Sequence, residues 1–236
     1  TPGGAGNGQT LDAGISTGGR TPTLNADDLK PEKTRSYELG TKWEVLDKQL
    51  SLNAALFRNE TTNARVRDAN TSLASLAGEK VVNGLELGFA GRITKQWEVF
   101  GGYTFMDSEQ KNIGTLANGT PVAGTGMAFP NTPKHSASLW SSYKVTPKFT
   151  VGVGAVGQSE VAATYAYGQN NVLITKGNAG FVRYDAMASY VFNPNMSLQV
   201  NLYNVTDKQY YASTYGAHYS TLGAGRSAVA TLKFTY

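Results

Sequence analysis

The sequence predicts an all-β protein, the antiparallel up-and-down wall of a transmembrane β-barrel with about nine long strands. Three observations lead there: strict alternation of apolar and polar residues, segments longer than soluble strands, and short turns that alternate with long polar loops. Alternation means strand because successive side chains leave a strand on opposite faces. The alternating segments run roughly 10–14 residues, whereas soluble strands average ~5–6 and tilted bilayer-crossing strands need ~9–11.

In order, the expected strands are 36–45, 50–60, 80–93, 97–107, 134–145, 149–158, 181–192, 197–206 and 224–236. In the first, Tyr37, Leu39, Trp43 and Val45 oppose Ser36, Glu38, Gly40, Lys42 and Glu44. Leu85, Leu87, Phe89 and Ile93 oppose Glu86, Gly88, Ala90 and Arg92 in the third. In the seventh, Val182, Tyr184, Ala186, Ala188, Tyr190 and Phe192 oppose Arg183, Asp185 and Ser189. The last sets Ala228, Ala230, Leu232, Phe234 and Tyr236 against Ser227, Thr231, Lys233 and Thr235. Short turns are expected at 46–49, 94–96, 146–148 and 193–195, and long polar loops at about 61–79, 108–133, 159–180 and 207–223. Short connections on one side and long ones on the other are the asymmetry of outer-membrane barrels. Turn centres recur roughly every 50 residues, the period of a propeller blade, but a blade needs four short strands and each period here holds two long ones. Residues 1–35 read as an external loop segment ahead of the barrel portion, 36–236.

Aromatic residues gather beside the short turns: Trp43 before the first, Trp97 after the second, Tyr143 and Phe149 around the third, Tyr190 and Phe192 before the fourth. Trp and Tyr settle at the bilayer–water boundary because their rings are amphipathic. Trp43, Trp97, Tyr143, Phe149 and Tyr190 are therefore expected at the membrane interface on the short-turn side. Aromatic residues filling a soluble sandwich would instead recur along the strand middles. Charge identifies the other face. Glu38, Lys42, Glu44, Glu86, Arg92, Glu98, Lys144, Arg183, Asp185 and Lys233 all take the parity opposite to the aromatics. An Arg or Lys facing lipid at the midplane costs ~2–4 kcal/mol, so that parity faces a wet lumen. Arg58 and Asp107 depart from the rule about ten residues from a short turn, where the cost falls to ~0–1 kcal/mol.

Composition agrees. Of 236 residues only 16% are charged and 40% are hydrophobic, with 27 Gly and 13 Tyr. An aromatic share of 11% and a net charge of +4 exclude a disordered chain, and Gly has no three-residue period, which excludes collagen. No stretch approaches the ~18 apolar residues of a spanning helix. With no Cys, disulfides, thiolate metal sites and Cys nucleophiles are excluded. Two His make no metal cluster, and without a Lys/Arg run nucleic acid is not an expected partner. No cofactor and no metal are expected. The first residues, Thr1-Pro2-Gly3-Gly4, lack the pattern of a signal peptide.

The odd strand count has a consequence. The first strand runs from the long-loop side and the last ends at Tyr236 on the short-turn side, yet single-chain bacterial barrels have even counts. An open sheet leaves unpaired edges in lipid. The chain is thus expected to be one part of a larger barrel, with the remainder of that barrel as its partner.

Specific residues point further. Asp28-Leu29-Lys30-Pro31-Glu32-Lys33-Thr34-Arg35-Ser36-Tyr37-Glu38-Leu39-Gly40-Thr41-Lys42-Trp43, Asn83-Gly84-Leu85-Glu86-Leu87 and Asn201-Leu202-Tyr203-Asn204-Val205-Thr206-Asp207-Lys208-Gln209-Tyr210 occur in this order, before Gly225-Arg226 and a terminal aromatic strand. Together they resemble the C-terminal barrel portion of TonB-dependent outer-membrane siderophore receptors, in particular the catecholate branch. The resemblance covers about residues 25–236. It implies the last nine strands of a 22-stranded plugged barrel. It also implies active, TonB-coupled uptake of a ferric siderophore, with TonB engaged through an N-terminal part that has no counterpart here. Tyr236 resembles the terminal aromatic read by the barrel-assembly machinery, and the lipid bilayer is the solvent. The alternatives are a passive porin-like channel and a structural propeller.

A ferric catecholate is a bulky aromatic anion, and its site needs cationic donors and stacking faces. The loops offer Tyr165, Tyr167, Tyr211, Tyr215, Tyr219, Phe129, His218 and Arg226. Tyr165, Tyr167, Tyr215, His218 and Arg226 are the expected ligand-binding set, set against the plainer role of Tyr in packing loops together. Arg226 shares parity with Tyr236 and so belongs to the outer face unless a bulge at Gly223 or Gly225 re-aims it. Asn204 and Asp207 are expected to cap a turn through side-chain to backbone bonds. No enzyme is expected: neither His135 nor His218 sits in a catalytic motif, and Gly-x-Ser-x-Gly is absent.

Overall fold

A computed structural model of the chain describes residues 31–68, 74–116, 118–215 and 218–235. Its strands are β1 (Lys33–Val45), β2 (Leu50–Asp68), β3 (Ala74–Arg92), β4 (Trp97–Asn112), β5 (Gly114–Thr115), β6 (His135–Thr146) and β7 (Phe149–Gln158). They continue as β8 (Val161–Tyr167), β9 (Leu173–Asn178), β10 (Phe181–Asn193), β11 (Met196–Tyr203), β12 (Tyr211–Tyr215), β13 (Tyr219–Leu222) and β14 (Ser227–Phe234). Nine of them form one antiparallel sheet in the order β1-β2-β3-β4-β6-β7-β10-β11-β14, so each long strand pairs with its neighbour in sequence. This is the expected up-and-down wall. A single 3-10 turn, Gln169–Asn171, is the helical element among the described residues.

The short turns close through local chemistry. Leu46, Asp47 and Lys48 take positive φ, and the Gln49 N–H donates to the Leu46 carbonyl at 3.0 Å. At the next turn the Thr94 hydroxyl oxygen accepts the N–H groups of Gln96 (3.2 Å) and Trp97 (3.1 Å). Thr146 does the same for Lys148 and Phe149, and Asn193 Oδ1 accepts the Asn195 N–H. Thr and Asn side chains imitate a backbone turn in this way and fix the register of the hairpins they close.

The long connections differ from the expected irregular loops. β2 and β3 run past the expected boundaries and pair out to Arg67 and Ala74, so most of 61–79 is strand. β4 likewise extends to Asn112, and β5 pairs in parallel with the end of β2. The 159–180 segment is the β8–β9 hairpin, and 207–223 holds the β12–β13 hairpin. Backbone donors and acceptors beyond the bilayer still need partners, and a hairpin supplies them within the segment. Two strands end early: β11 stops at Tyr203 rather than 206, and β14 starts at Ser227 rather than 224. Between these ends lies a hydrogen-bonded knot centred on Asn204.

Candidate membrane face and external loop site

Residues directly opposite on antiparallel strands share a face, so the register sorts every side chain. One row reads Trp43, Leu52, Phe89, Gly101, Leu139, Ala155, Tyr184. Apart from Arg58 and Asp107, the charged residues named above fall on the opposite face; Arg92 stands opposite Glu98, and their side chains pair at 2.9 Å. Segregation of charge, expected from parity, therefore holds across the sheet from the short turns up to the level of Arg58 and Asp107.

The aromatic residues beside the short turns do not share one register row. Trp43's row reaches β10 at Tyr184, six residues from Tyr190, after six strand-to-strand steps. One residue of offset per step, with ~3.3 Å rise and ~4.8 Å spacing, is a strand tilt of about 35°. Outer-membrane barrel strands tilt by ~35–45°. Trp97 and Tyr143 share a row four residues below that of Trp43, and Phe149 and Tyr190 share one two residues further down. The five thus fall on one level in a tilted sheet. Phe234, opposite Met196 and 60% exposed, continues the staircase on β14. Sequence reasoning placed it on the correct face without assigning it to this level; its position in the last turn of alternation was the available signal.

A second level lies at the long-connection end. Tyr37, Tyr103 and Tyr184 follow the same stagger on the same face, each six residues along its strand from Trp43, Trp97 and Tyr190 respectively. Six residues are about 20 Å of strand. Arg58, Asn83 and Asp107 continue the register row of Tyr37, which on β4 reaches four residues past Tyr103; Arg58 Nη1 donates to Asn83 Oδ1 (3.0 Å) and Lys134 Nζ lies 3.6 Å from Asp107 Oδ1. The two charges that break the parity rule thus stand at the edge of the apolar band, Arg58 opposite Tyr37 and Asp107 beyond Tyr103, and both are paired with polar groups.

The charged face carries aromatics that parity did not foresee. The Phe57 ring covers Gly84, and the Trp140 indole covers Gly152 and Gly154, where a Cβ would collide with the rings. Phe100 stands beside Trp140 in the register and is 56% exposed.

At the external end, Arg183 Nη2 donates to Asp185 Oδ2 at 2.8 Å and Nη1 to the Tyr210 hydroxyl at 3.3 Å. The Tyr210 ring stacks on Phe181 with centroids 4.2 Å apart and covers Gly223. The remaining Asp185 oxygen accepts the Asn204 N–H at 2.8 Å. Asn204, 1% exposed and at φ 51°, donates Nδ2 to the carbonyls of Lys208 and Ala224 and accepts the Lys208 N–H. Asp207 Oδ1 accepts the Arg226 N–H at 2.8 Å. The expected capping by Asn204 and Asp207 is present and ties β10, β11 and the start of β14 together.

The expected ligand residues are spread over two hairpins. Tyr165 and Tyr167 stand on β8 and donate their hydroxyls to the carbonyls of Ala128 (2.9 Å) and Pro121 (3.1 Å). Partial burial pushes the Tyr165 phenol above its ordinary pKa. Tyr215 closes β12, opposite Tyr219 in the register. His218 occupies the turn between them and is exposed, as is Arg226 just before β14. Tyr236 lies outside the described residues, as do residues 1–30 of the expected external loop.

A tilted antiparallel sheet, apolar between two aromatic levels on one face and charged on the other, is the wall of an outer-membrane β-barrel. The chain belongs to the family described as TonB dependent receptor-like, beta-barrel, whose model matches residues 2–205. It is 43% identical over 230 residues to the probable TonB-dependent siderophore receptor PiuA of Acinetobacter baumannii, covering 96% of this chain and 30% of that protein. It is 39% identical over 202 residues to the catecholate siderophore receptor Fiu of Escherichia coli K12, covering 84% and 25%. The crystal structure of PiuA superposes with a TM-score of 0.78 at 42% identity, over 91% of this chain and 30% of that one. The closed form of Fiu superposes at 0.75 and 35% identity, over 91% and 28%. The chain spans less than a third of the length of these curated relatives.

Proposed function

We propose that this chain is part of the barrel wall of an outer-membrane receptor for active, TonB-coupled uptake of a ferric siderophore of the catecholate class. The 43% identity to PiuA over nearly the whole chain supports this reading most strongly. The partners are the ferric siderophore, the remainder of the barrel and its plug, TonB acting through the N-terminal part, the assembly machinery and the bilayer. Trp43, Trp97, Tyr143, Phe149, Tyr190 and Phe234 mark the short-turn membrane interface. Cells that depend on the full-length protein for iron are expected to take up radiolabelled iron from a catecholate complex only while TonB is functional. Uptake that persists without TonB would favour a passive channel instead.

The external site is proposed to draw on Tyr165, Tyr167, Tyr215, His218 and Arg226. Alanine at Tyr165, Tyr167 and Tyr215 together should weaken chelate binding to the full-length protein by more than tenfold, or about 1.4 kcal/mol. Unchanged binding by titration would move the site to parts of the protein outside this chain. Tyr165 and Tyr167 also hold neighbouring backbone, so Tyr→Phe at the same positions separates stacking, which Phe keeps, from the hydroxyl bonds, which it loses.

A further inference from the structure

Three external segments meet at Asn131: the connection 118–131, the β8–β9 hairpin and the β12–β13 hairpin. Asn131 lies between Pro130 and Thr132-Pro133, at φ 57°. Flanking prolines deprive the backbone of N–H donors, and Asn accepts the left-handed conformation that most residues avoid. Its own N–H donates to the Ala162 carbonyl of the β8–β9 hairpin at 2.8 Å. Its side chain reaches the other hairpin: Nδ2 donates to the Thr214 carbonyl at 3.2 Å, and Oδ1 accepts the Thr214 hydroxyl. Thr214 is 8% exposed, so water does not readily replace a lost partner.

Other bonds make the junction part of a larger body. The hydroxyls of Tyr165 and Tyr167 join β8 to 118–131, and Ser220 Oγ donates to Asn178 Oδ1 at 3.2 Å, joining β13 to β9. The connection is itself fastened to the barrel wall, because Ser108 Oγ accepts the Phe129 N–H at 3.1 Å and Gln110 Nε2 donates to the Ala128 carbonyl at 3.3 Å.

We propose that Asn131 and Thr214 are positioning residues that fasten the β12–β13 hairpin to the other two segments, so that the three behave as one body anchored on β4. The inference rests on the receptor reading only for its use, which is to hold the external Tyr residues of two hairpins in a fixed mutual arrangement. The test is hydrogen exchange on the full-length protein in detergent, without chelate, so that it stands or fails separately from the uptake assay. Asn131→Gly keeps the positive φ and the backbone bond but removes the bridge; Thr214→Val keeps the shape but removes the hydroxyl. Each is expected to speed amide exchange in 211–222 by about tenfold while leaving β6 and β7 unchanged. Thr214→Ser is expected to restore the native rate, and the double variant to exchange little faster than Asn131→Gly alone, because Asn131→Gly already removes both bonds of the bridge whereas Thr214→Val removes only the hydroxyl bond. Unchanged exchange in 211–222 in both single variants, or Thr214→Ser behaving like Thr214→Val, overturns the proposal.

Discussion

Asn204 shows how much one side chain can hold. Its amide and N–H make four bonds to Asp185, Lys208 and Ala224, and almost none of its surface meets water. Asn204→Ala removes the amide and leaves the Lys208 and Ala224 groups unpaired, a loss of ~1–3 kcal/mol. The expected outcome is a lower denaturation midpoint of the full-length barrel, read as heat modifiability on gels, with Asn204→Asp losing less because its oxygen still accepts the Lys208 N–H. Tyr165 offers a pH-dependent counterpart. Its pKa is raised in the folded chain by burial, so the protonated phenol is favoured there. Its contribution is complete below the ordinary tyrosine range and is lost as pH rises through the raised value. Exchange protection of the β8–β9 hairpin should therefore persist through neutral pH and fall in strong alkali. Tyr165→Phe should be less protected at neutral pH and lose this pH dependence.

Among the elements, strand existence and parity were legible because lipid imposes period-two patterning on every crossing strand. The common level of the five aromatics beside the short turns was legible too, but the stagger that produces it was not, because a staircase through the register exists only once strands are paired. Phe234 illustrates this: its alternation was visible, and its place on the Trp43 level required eight neighbouring registers. Depth-dependent quenching by brominated lipids should find Trp43 and Trp97 quenched best by bromines near the headgroups. Maximal quenching from the bilayer centre would reject the level. Ring-over-glycine contacts are likewise set by pairing. Gly84→Ala places a methyl in the Phe57 ring and should cost ~1–3 kcal/mol, seen as a lower unfolding midpoint; Phe57→Leu combined with it should recover part of the loss.

At the scale of the molecule, the sheet has β1 at one edge and β14 at the other, and each presents an apolar outer face. Tyr236, at the end of the β14 alternation, is expected to act in assembly. Deleting it from the full-length protein should reduce the amount in the outer membrane without altering uptake per molecule. Normal surface levels with lost uptake would contradict that role.

The sequence by itself determined the all-β class, the nine long strands, the two faces and the short turns, because each follows from local periodicity or from a Thr, Asn or Pro within a few residues. Tertiary structure decided what the long connections are and what their residues touch. Asn131 and Thr214 are 83 residues apart in the chain, and nothing local distinguishes them from other loop Asn and Thr. Tyr165 and Tyr167 look alike as ligand candidates in the sequence, yet pairing of β8 with β9 turns both hydroxyls onto the backbone of a different segment. A hydrogen bond between distant segments depends on how the chain brings them together, and periodicity carries no record of that encounter.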